Sequence, residues 1–188
     1  FTLSLSGMRQ TLAICINLLA FEFLMKNKLI HFGICVYAAY CFHMSAIIFF
    51  PLYFFRNIEI NRSKGVLLLG FALSFVFLRT FLVEVTKFLA PEKYVRLYGV
   101  YSDLHPVNPL VILAAFLIPF TCLFFWKYQR WSLNNKGKLM SLFFVMSILN
   151  LFFNILSLNM NLIGRLSFYF LPFNMVLIPA IISDIRGH

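Results

Sequence analysis

Six apolar runs fill most of this chain: residues 8–25, 29–55, 66–90, 109–127, 139–158 and 162–182. Each is near or above the roughly 20 residues that a helix needs to cross about 30 Å of hydrocarbon. In lipid every backbone polar group must be satisfied within the segment, which leaves the helix as the only form open to runs of this kind. A soluble surface is excluded on composition as well. The chain is 62% hydrophobic and only 12% charged, too few charges to solvate a domain of this size. The expectation is an all-α polytopic membrane protein of about six transmembrane helices, forming a single integral-membrane helical domain over residues 1–188.

The formal net charge of +10 would suggest nucleic acid in a soluble protein. Here the basic residues stand in the loops, where they meet anionic lipid or set topology. No nucleic acid partner is expected. The four cysteines, Cys15, Cys35, Cys41 and Cys122, fall within apolar runs without metal-ligand spacing, so neither a metal site nor a disulfide is predicted. The short "KNK" link at residues 26–28 makes the first two runs an antiparallel hairpin. Strict alternation then puts residues 27 and 60 on opposite sides. The larger share of Lys and Arg falls on the side of residue 60, which makes that side cytoplasmic. Prolines 51, 119, 172 and 179 predict bent helices.

Ionisable groups at membrane depth are costly and mark candidate function. Arg79 stands in "SFVFLRTFLVEV" and His43 in "YAAYCFHMSAIIFF". Counting at 1.5 Å per residue from Asn27, Arg9 lies about 27 Å back and His43 about 24 Å forward. Arg79 falls at a similar level across the following loop, so Arg9, Gln10, His43 and Arg79 can share one layer. Arg9 also starts an apolar run, where a helix N-terminus favours an anion. A guanidinium suits bidentate contact with phosphate, and an imidazole can take a proton from a hydroxyl near neutral pH.

Structural explanations compete at each position. Arg9 can cap a span, His43 can bond a neighbouring helix, and Arg79 can pair with Glu84 or Glu22. In "PEKYVRLYGVYSD", Tyr94, Tyr98 and Tyr101 fall on one helical stripe. That stripe is either an interfacial aromatic belt or a surface on which sugars stack, with Arg96 and Asp103 as polar contacts.

Three stretches, "GMRQTLA", "FHMSAIIFFPLYFF" and "GRLSFYFLPFNMVLIP", resemble the EpsG-type, Wzy-like polymerases of bacterial capsule, exopolysaccharide and O-antigen synthesis. The resemblance implies a multi-pass protein of the bacterial inner (plasma) membrane that joins lipid-linked oligosaccharide repeat units. Its substrate would be an undecaprenyl-diphosphate-linked oligosaccharide, with membrane lipid and other polysaccharide-assembly membrane proteins as partners and no cofactor. It further implies Arg9 and Arg165 on the diphosphate, Gln10 assisting, and His43 as base with Ser45 beside it. Arg79, Tyr98 and Asp103 are the remaining candidate substrate contacts, and Asp103 or Glu92 can replace His43 as base. Members of the family are about twice this length, so the chain would be a C-terminal portion.

One position conflicts with the expected spans. By helical rise, Arg165 falls about 15–20 Å from the level of Arg9, unless "LNMNLIGR" is unwound or re-entrant or the span count is wrong by one. A transporter of lipid-linked sugars or anions and a non-catalytic membrane subunit are the alternative functions.

Overall fold

The computed structural model describes residues 2–89, 108–125, 135–157 and 161–186, with side chains for 6–75, 108–125, 137–157 and 164–183. The described residues are predominantly helical, without a strand. Contacts divide the chain into two compact units, Phe1–Glu59 with Leu133–Leu142, and Ile60–Ser132 with Phe143–His188. Among the described residues, two helical stretches, Ser6–Met25 and Gly137–Ser157, are long and apolar enough to cross a membrane.

The first unit begins with α1 (Thr2–Met25) and α2 (Leu29–Phe42), packed as the expected hairpin. Asn27 makes the link tight. Its φ of 55° is left-handed, a conformation Asn tolerates better than most residues. Lys28 N–H bonds Phe23 O at 3.0 Å and Asn27 N–H bonds Leu24 O at 3.1 Å. These paired bonds form a Schellman cap that satisfies the last carbonyls of α1.

The run 29–55 does not cross as one helix, contrary to expectation. With 14 residues, α2 rises only about 21 Å. At His43 the backbone is extended, with φ −153° and ψ 118°. A 3-10 helix (Met44–Phe49) and α3 (Leu52–Phe55) then return alongside α2. The ring centroid of Phe32, early in α2, lies 6.3 Å from that of Phe50 and 6.2 Å from that of Tyr53. Arg56 Nε donates to Asn27 Oδ1 at 3.1 Å, so the chain ends this segment at the turn it left.

Local chemistry explains the tight winding of the return. Pro51 has no N–H to give Ile47 O, and Phe50 N–H takes that carbonyl at 2.9 Å instead. Ala46 O receives Asn17 Nδ2 from α1 at 3.2 Å. Irregular backbone in an apolar setting needs partners of this kind.

In the second unit α4 (Arg62–Leu89) begins under Asn61, whose Oδ1 accepts Lys64 N–H at 2.9 Å. Next come α5 (Pro109–Phe124), α6 (Asn135–Leu156), α7 (Asn161–Ser167) and α8 (Leu171–Arg186). The first turns of α6 group with the first unit and the remainder with the second. Asn108 caps α5 by accepting Leu110 N–H at 2.9 Å, with Pro109 at the first helical position, where its missing N–H costs nothing.

Aromatic pairs hold the second unit around α6. Phe152 meets Phe75 of α4 edge-on at 4.8 Å, Phe153 stacks on Phe170 at 5.7 Å, and Phe143 reaches Phe173 of α8 at 5.9 Å. Such pairs contribute about 0.5–1.5 kcal/mol each beyond the area they bury. The expected span 162–182 is also interrupted. It divides into α7 and α8 at residues 168–170, where Tyr169 N–H and Phe170 N–H close on Leu166 O and Ser167 O.

Candidate functional site

Two groups of the predicted residues take shape, one in each unit. In the first unit the hairpin brings His43 to its apex. By helical rise the apex stays about 24 Å from the Asn27 turn, the level expected, although His43 is now at a reversal and not inside a crossing. Its Nδ1 lies 2.6 Å from Ser45 Oγ, and both side chains are half-buried. With the proton on Nδ1, the ring donates to Ser45 and Nε2 is the basic nitrogen. With the proton on Nε2, the serine hydroxyl donates to Nδ1.

Arg9 and Gln10 part company. Consecutive helical residues are about 100° apart around the axis, and here Arg9 is exposed while Gln10 is buried. The expectation that Arg9 stands at a helix N-terminus is also corrected. The helix α1 starts at Thr2, so Arg9 lies two turns inside it, where backbone N–H groups are already spent on helical bonds. Whatever Arg9 offers an anion comes from its guanidinium alone. Glu22, one of the carboxylates considered for Arg79, bonds Lys26 Nζ at 2.6 Å within α1. The side chain of Arg79 and the residues Tyr98 and Asp103 lie outside the described parts of the chain.

In the second unit Arg165 lines a cavity of about 420 Å³ between α5, the C-terminal half of α6, α7 and the start of α8. One wall is apolar, with Val111, Ala115 and Ile118 from α5 facing Phe168 and Leu171. The other carries Asn150 and Asn154 of α6, Ser157 just past its end, Ser167 of α7 and Asn174 of α8. Among the described lining residues Arg165 is the one charged side chain. A cation in such surroundings interacts with an anion more strongly than it would in water.

The backbone sets Arg165 in place. A Cβ on the preceding Gly164 would lie 2.9 Å from Ser157 Cβ, closer than real contacts allow, so only glycine lets α7 rest against the end of α6. Arg165 is in the last turn of α7, where a cation complements the helix dipole.

The asparagines form a directed network. Asn150 Nδ2 donates to Ser167 O at 2.9 Å. Asn150 Oδ1 accepts Asn154 Nδ2 at 3.3 Å and Asn174 Nδ2 at 3.2 Å, and Asn154 Nδ2 also reaches Asn150 O at 2.8 Å. All three are buried, yet Asn174 Oδ1 has no donor among the described residues.

Sequence reasoning missed these asparagines, although a signal was present. Asn150, Asn154 and Ser157 follow an i, i+4, i+7 stripe in a largely apolar stretch, and amides at that depth need partners. Among the described residues no three His, Cys, Asp or Glu side chains gather as metal ligands would. The first unit offers the Arg9 guanidinium, the Gln10 amide, the His43 imidazole and the Ser45 hydroxyl, and the cavity of the second unit offers the Arg165 guanidinium, amides and hydroxyls.

A family model described as the EpsG family matches residues 1–188. No curated protein matches the chain, and no solved structure does.

Proposed function

The chain belongs to the EpsG family of membrane proteins of polysaccharide biosynthesis, and we propose that it polymerises lipid-linked oligosaccharide repeat units in the bacterial inner (plasma) membrane as a multi-pass protein. The substrate is an undecaprenyl-diphosphate-linked oligosaccharide. The growing glycan leaves its diphosphate and joins a sugar hydroxyl of the incoming unit, giving exopolysaccharide, capsule or O-antigen.

One observation carries the reading: among the described lining residues, Arg165 is the charged group of a cavity whose other polar groups are neutral amides and hydroxyls. That combination suits a glycosyl diphosphate, which is anionic at one end and rich in hydroxyls at the other. As the anomeric C–O bond to phosphate breaks, negative charge grows on the leaving diphosphate. A fixed guanidinium donor in an apolar cleft favours that state, and losing one such donor costs about 10²–10³-fold in rate. The attacking hydroxyl loses its proton as the new glycosidic bond forms. His43 is the proposed base, held in one ring orientation by Ser45, and a positioned base contributes roughly 10²–10⁴-fold. Arg9 is the proposed second phosphate contact, with Gln10 supporting it from the buried face of α1. Arg79, Tyr98 and Asp103 are further proposed substrate contacts. No cofactor takes part in this scheme.

The test uses a strain deleted for the chromosomal copy. Arg165→Ala should lower polymer by about a hundredfold, with single lipid-linked repeat units collecting on the outer leaflet. If the units were trapped on the inner leaflet, the protein would be a transporter. If polymer fell only through loss of a partner assembly protein, it would be a non-catalytic subunit.

A further inference from the structure

Two tyrosines of α2 stand outside the hairpin seam. Phe32, Val36 and Ala39 are buried within the hairpin, while Tyr37 and Tyr40 face outward, 68% and 39% exposed. Their rings form a near-parallel pair, with centroids 6.4 Å apart and planes 27° from each other. Neither hydroxyl has a hydrogen-bond partner among the described residues.

The depth of these hydroxyls is the point of interest. Lys26, Lys28 and Arg56 gather at the Asn27 turn, and charged groups of this kind hold the turn at an edge of the hydrocarbon. By helical rise Tyr37 lies about 15 Å and Tyr40 about 20 Å beyond that edge, in a layer roughly 30 Å thick. Helical side chains lean toward the N-terminus of their helix, which draws both hydroxyls away from the far edge. An interfacial belt therefore does not explain the pair. Facing lipid tails, each hydroxyl would give up water and gain no partner, a costly state. This face of α2 calls for an occupant that forms hydrogen bonds.

The pair also leads to the candidate base. His43 N–H still bonds Ala39 O at 3.0 Å, so its Cα keeps the next helical position although its own backbone is extended. Tyr37, Tyr40 and His43 thus succeed one another at steps of about 4.5 Å along the axis and about 60° around it. The row winds from the outward face to the half-buried His43 and Ser45, whose Nδ1 and Oγ lie 2.6 Å apart.

We propose that Tyr37 and Tyr40 bind the acceptor sugar, whose C–H face packs on the aromatic rings while its hydroxyls bond the phenols, and that they present the attacking hydroxyl to His43. This rests on the polymerase reading for the reaction and adds the acceptor subsite to it. A sugar meets both demands of the pair, an apolar face for the rings and hydroxyls for the phenols. A lipid tail meets only the first, and a bare diphosphate only the second. With the basic residues at the Asn27 end on the cytoplasmic side, the apex is directed toward the outer surface.

Cys41, exposed one turn beyond Tyr37, is a native reporter for this face. With Cys15, Cys35 and Cys122 replaced by alanine, the purified chain in lipid nanodiscs should react at Cys41 with a charged, membrane-impermeant thiol reagent. The repeat-unit oligosaccharide, freed from its lipid by mild acid, should slow that reaction severalfold at saturation. Its apparent Kd should rise at least about tenfold in the double variant Tyr37→Leu/Tyr40→Leu. In Tyr40→Phe, which keeps the ring and loses the hydroxyl, the rise should be about two- to tenfold. With lipid-linked units as substrate, Tyr37→Leu should raise KM and leave kcat within about twofold, unlike His43→Ala, which lowers kcat.

A Cys41 that the reagent cannot reach would mean that lipid or another protein surface covers this face. That result overturns the proposal without any tyrosine variant. Labelling that the oligosaccharide leaves unchanged overturns it as well, and so does a folded double variant protected like the parent. The polymerase reading is judged separately. Protection at Cys41 in a protein whose Arg165→Ala strain still makes full polymer leaves the sugar contact standing and removes the polymerase. Polymer lost in that strain, with no protection at Cys41, removes the acceptor subsite alone.

Discussion

Gly164 shows how one missing methyl group can carry a site. Alanine there would gain roughly 1 kcal/mol in helix propensity, but its Cβ would meet Ser157 Cβ at 2.9 Å. Overpacking of that kind costs about 1–3 kcal/mol, and Ser157 Cβ, fixed to the backbone, cannot swing aside. Gly164→Ala should therefore lower stability by up to about 2 kcal/mol in thermal unfolding, with a loss of polymer as Arg165 moves. Adding Ser157→Gly should restore the stability. Asn27 carries a different constraint, since its left-handed φ of 55° disfavours branched side chains by about 1–2 kcal/mol. Asn27→Val should cost at least that, and Asn27→Gly should keep the turn while losing the Arg56 contact made at 3.1 Å. Comparing the two variants by thermal unfolding separates backbone conformation from side-chain bonding.

At the scale of the element, the returning segment 44–55 alters how the first unit is read. An apolar run of this length reads as one crossing because a hydropathy window has no sense of direction. The reversal depends on contacts that no window contains: Phe32 against Phe50 and Tyr53, Asn17 on Ala46 O, and Arg56 both over the Tyr53 ring at 3.9 Å and on Asn27. The prediction concerns sidedness. In a background with Cys15, Cys35, Cys41 and Cys122 replaced, a single cysteine at Lys28 and one at Asn57 should react with a membrane-impermeant thiol reagent from the same side. Labelling from opposite sides would restore the single crossing. The Asn17 contact should be worth measuring too, because Asn17→Leu leaves Ala46 O without its donor. A buried carbonyl so stranded costs about 1–3 kcal/mol, readable as a lowered unfolding temperature.

At the scale of the whole molecule, the candidate groups are divided between two units. The chain resolves into two units, one bearing Arg9, Gln10, His43 and Ser45 and the other bearing Arg165 and the asparagine cavity. If both act as one unit in the transfer, their losses do not multiply. His43→Ala and Arg165→Ala should each reduce polymer by about a hundredfold or more. The double variant should fall well short of the product of the two, as groups acting as a unit do. Polymer yield from membranes supplied with lipid-linked repeat units measures all three strains on one scale. Fully multiplicative losses would mean that the two groups contribute independently and do not act as one unit.

Much of this protein is decided by the chain alone. Apolar runs with few charges leave helix as the only backbone form, Asn27 and Asn108 mark a turn and a cap by local chemistry, and the stretches around Arg9, His43 and Arg165 carry the family likeness. Those properties depend on neighbours within a few residues, which is the range over which periodicity, capping and composition act. Only the tertiary structure decided that 29–55 doubles back, that Arg9 and Gln10 face different ways, and that Asn150, Asn154 and Asn174 meet Arg165 around one hollow. These outcomes follow from side chains of distant segments satisfying one another, and an amide in the sequence does not say which carbonyl it will find.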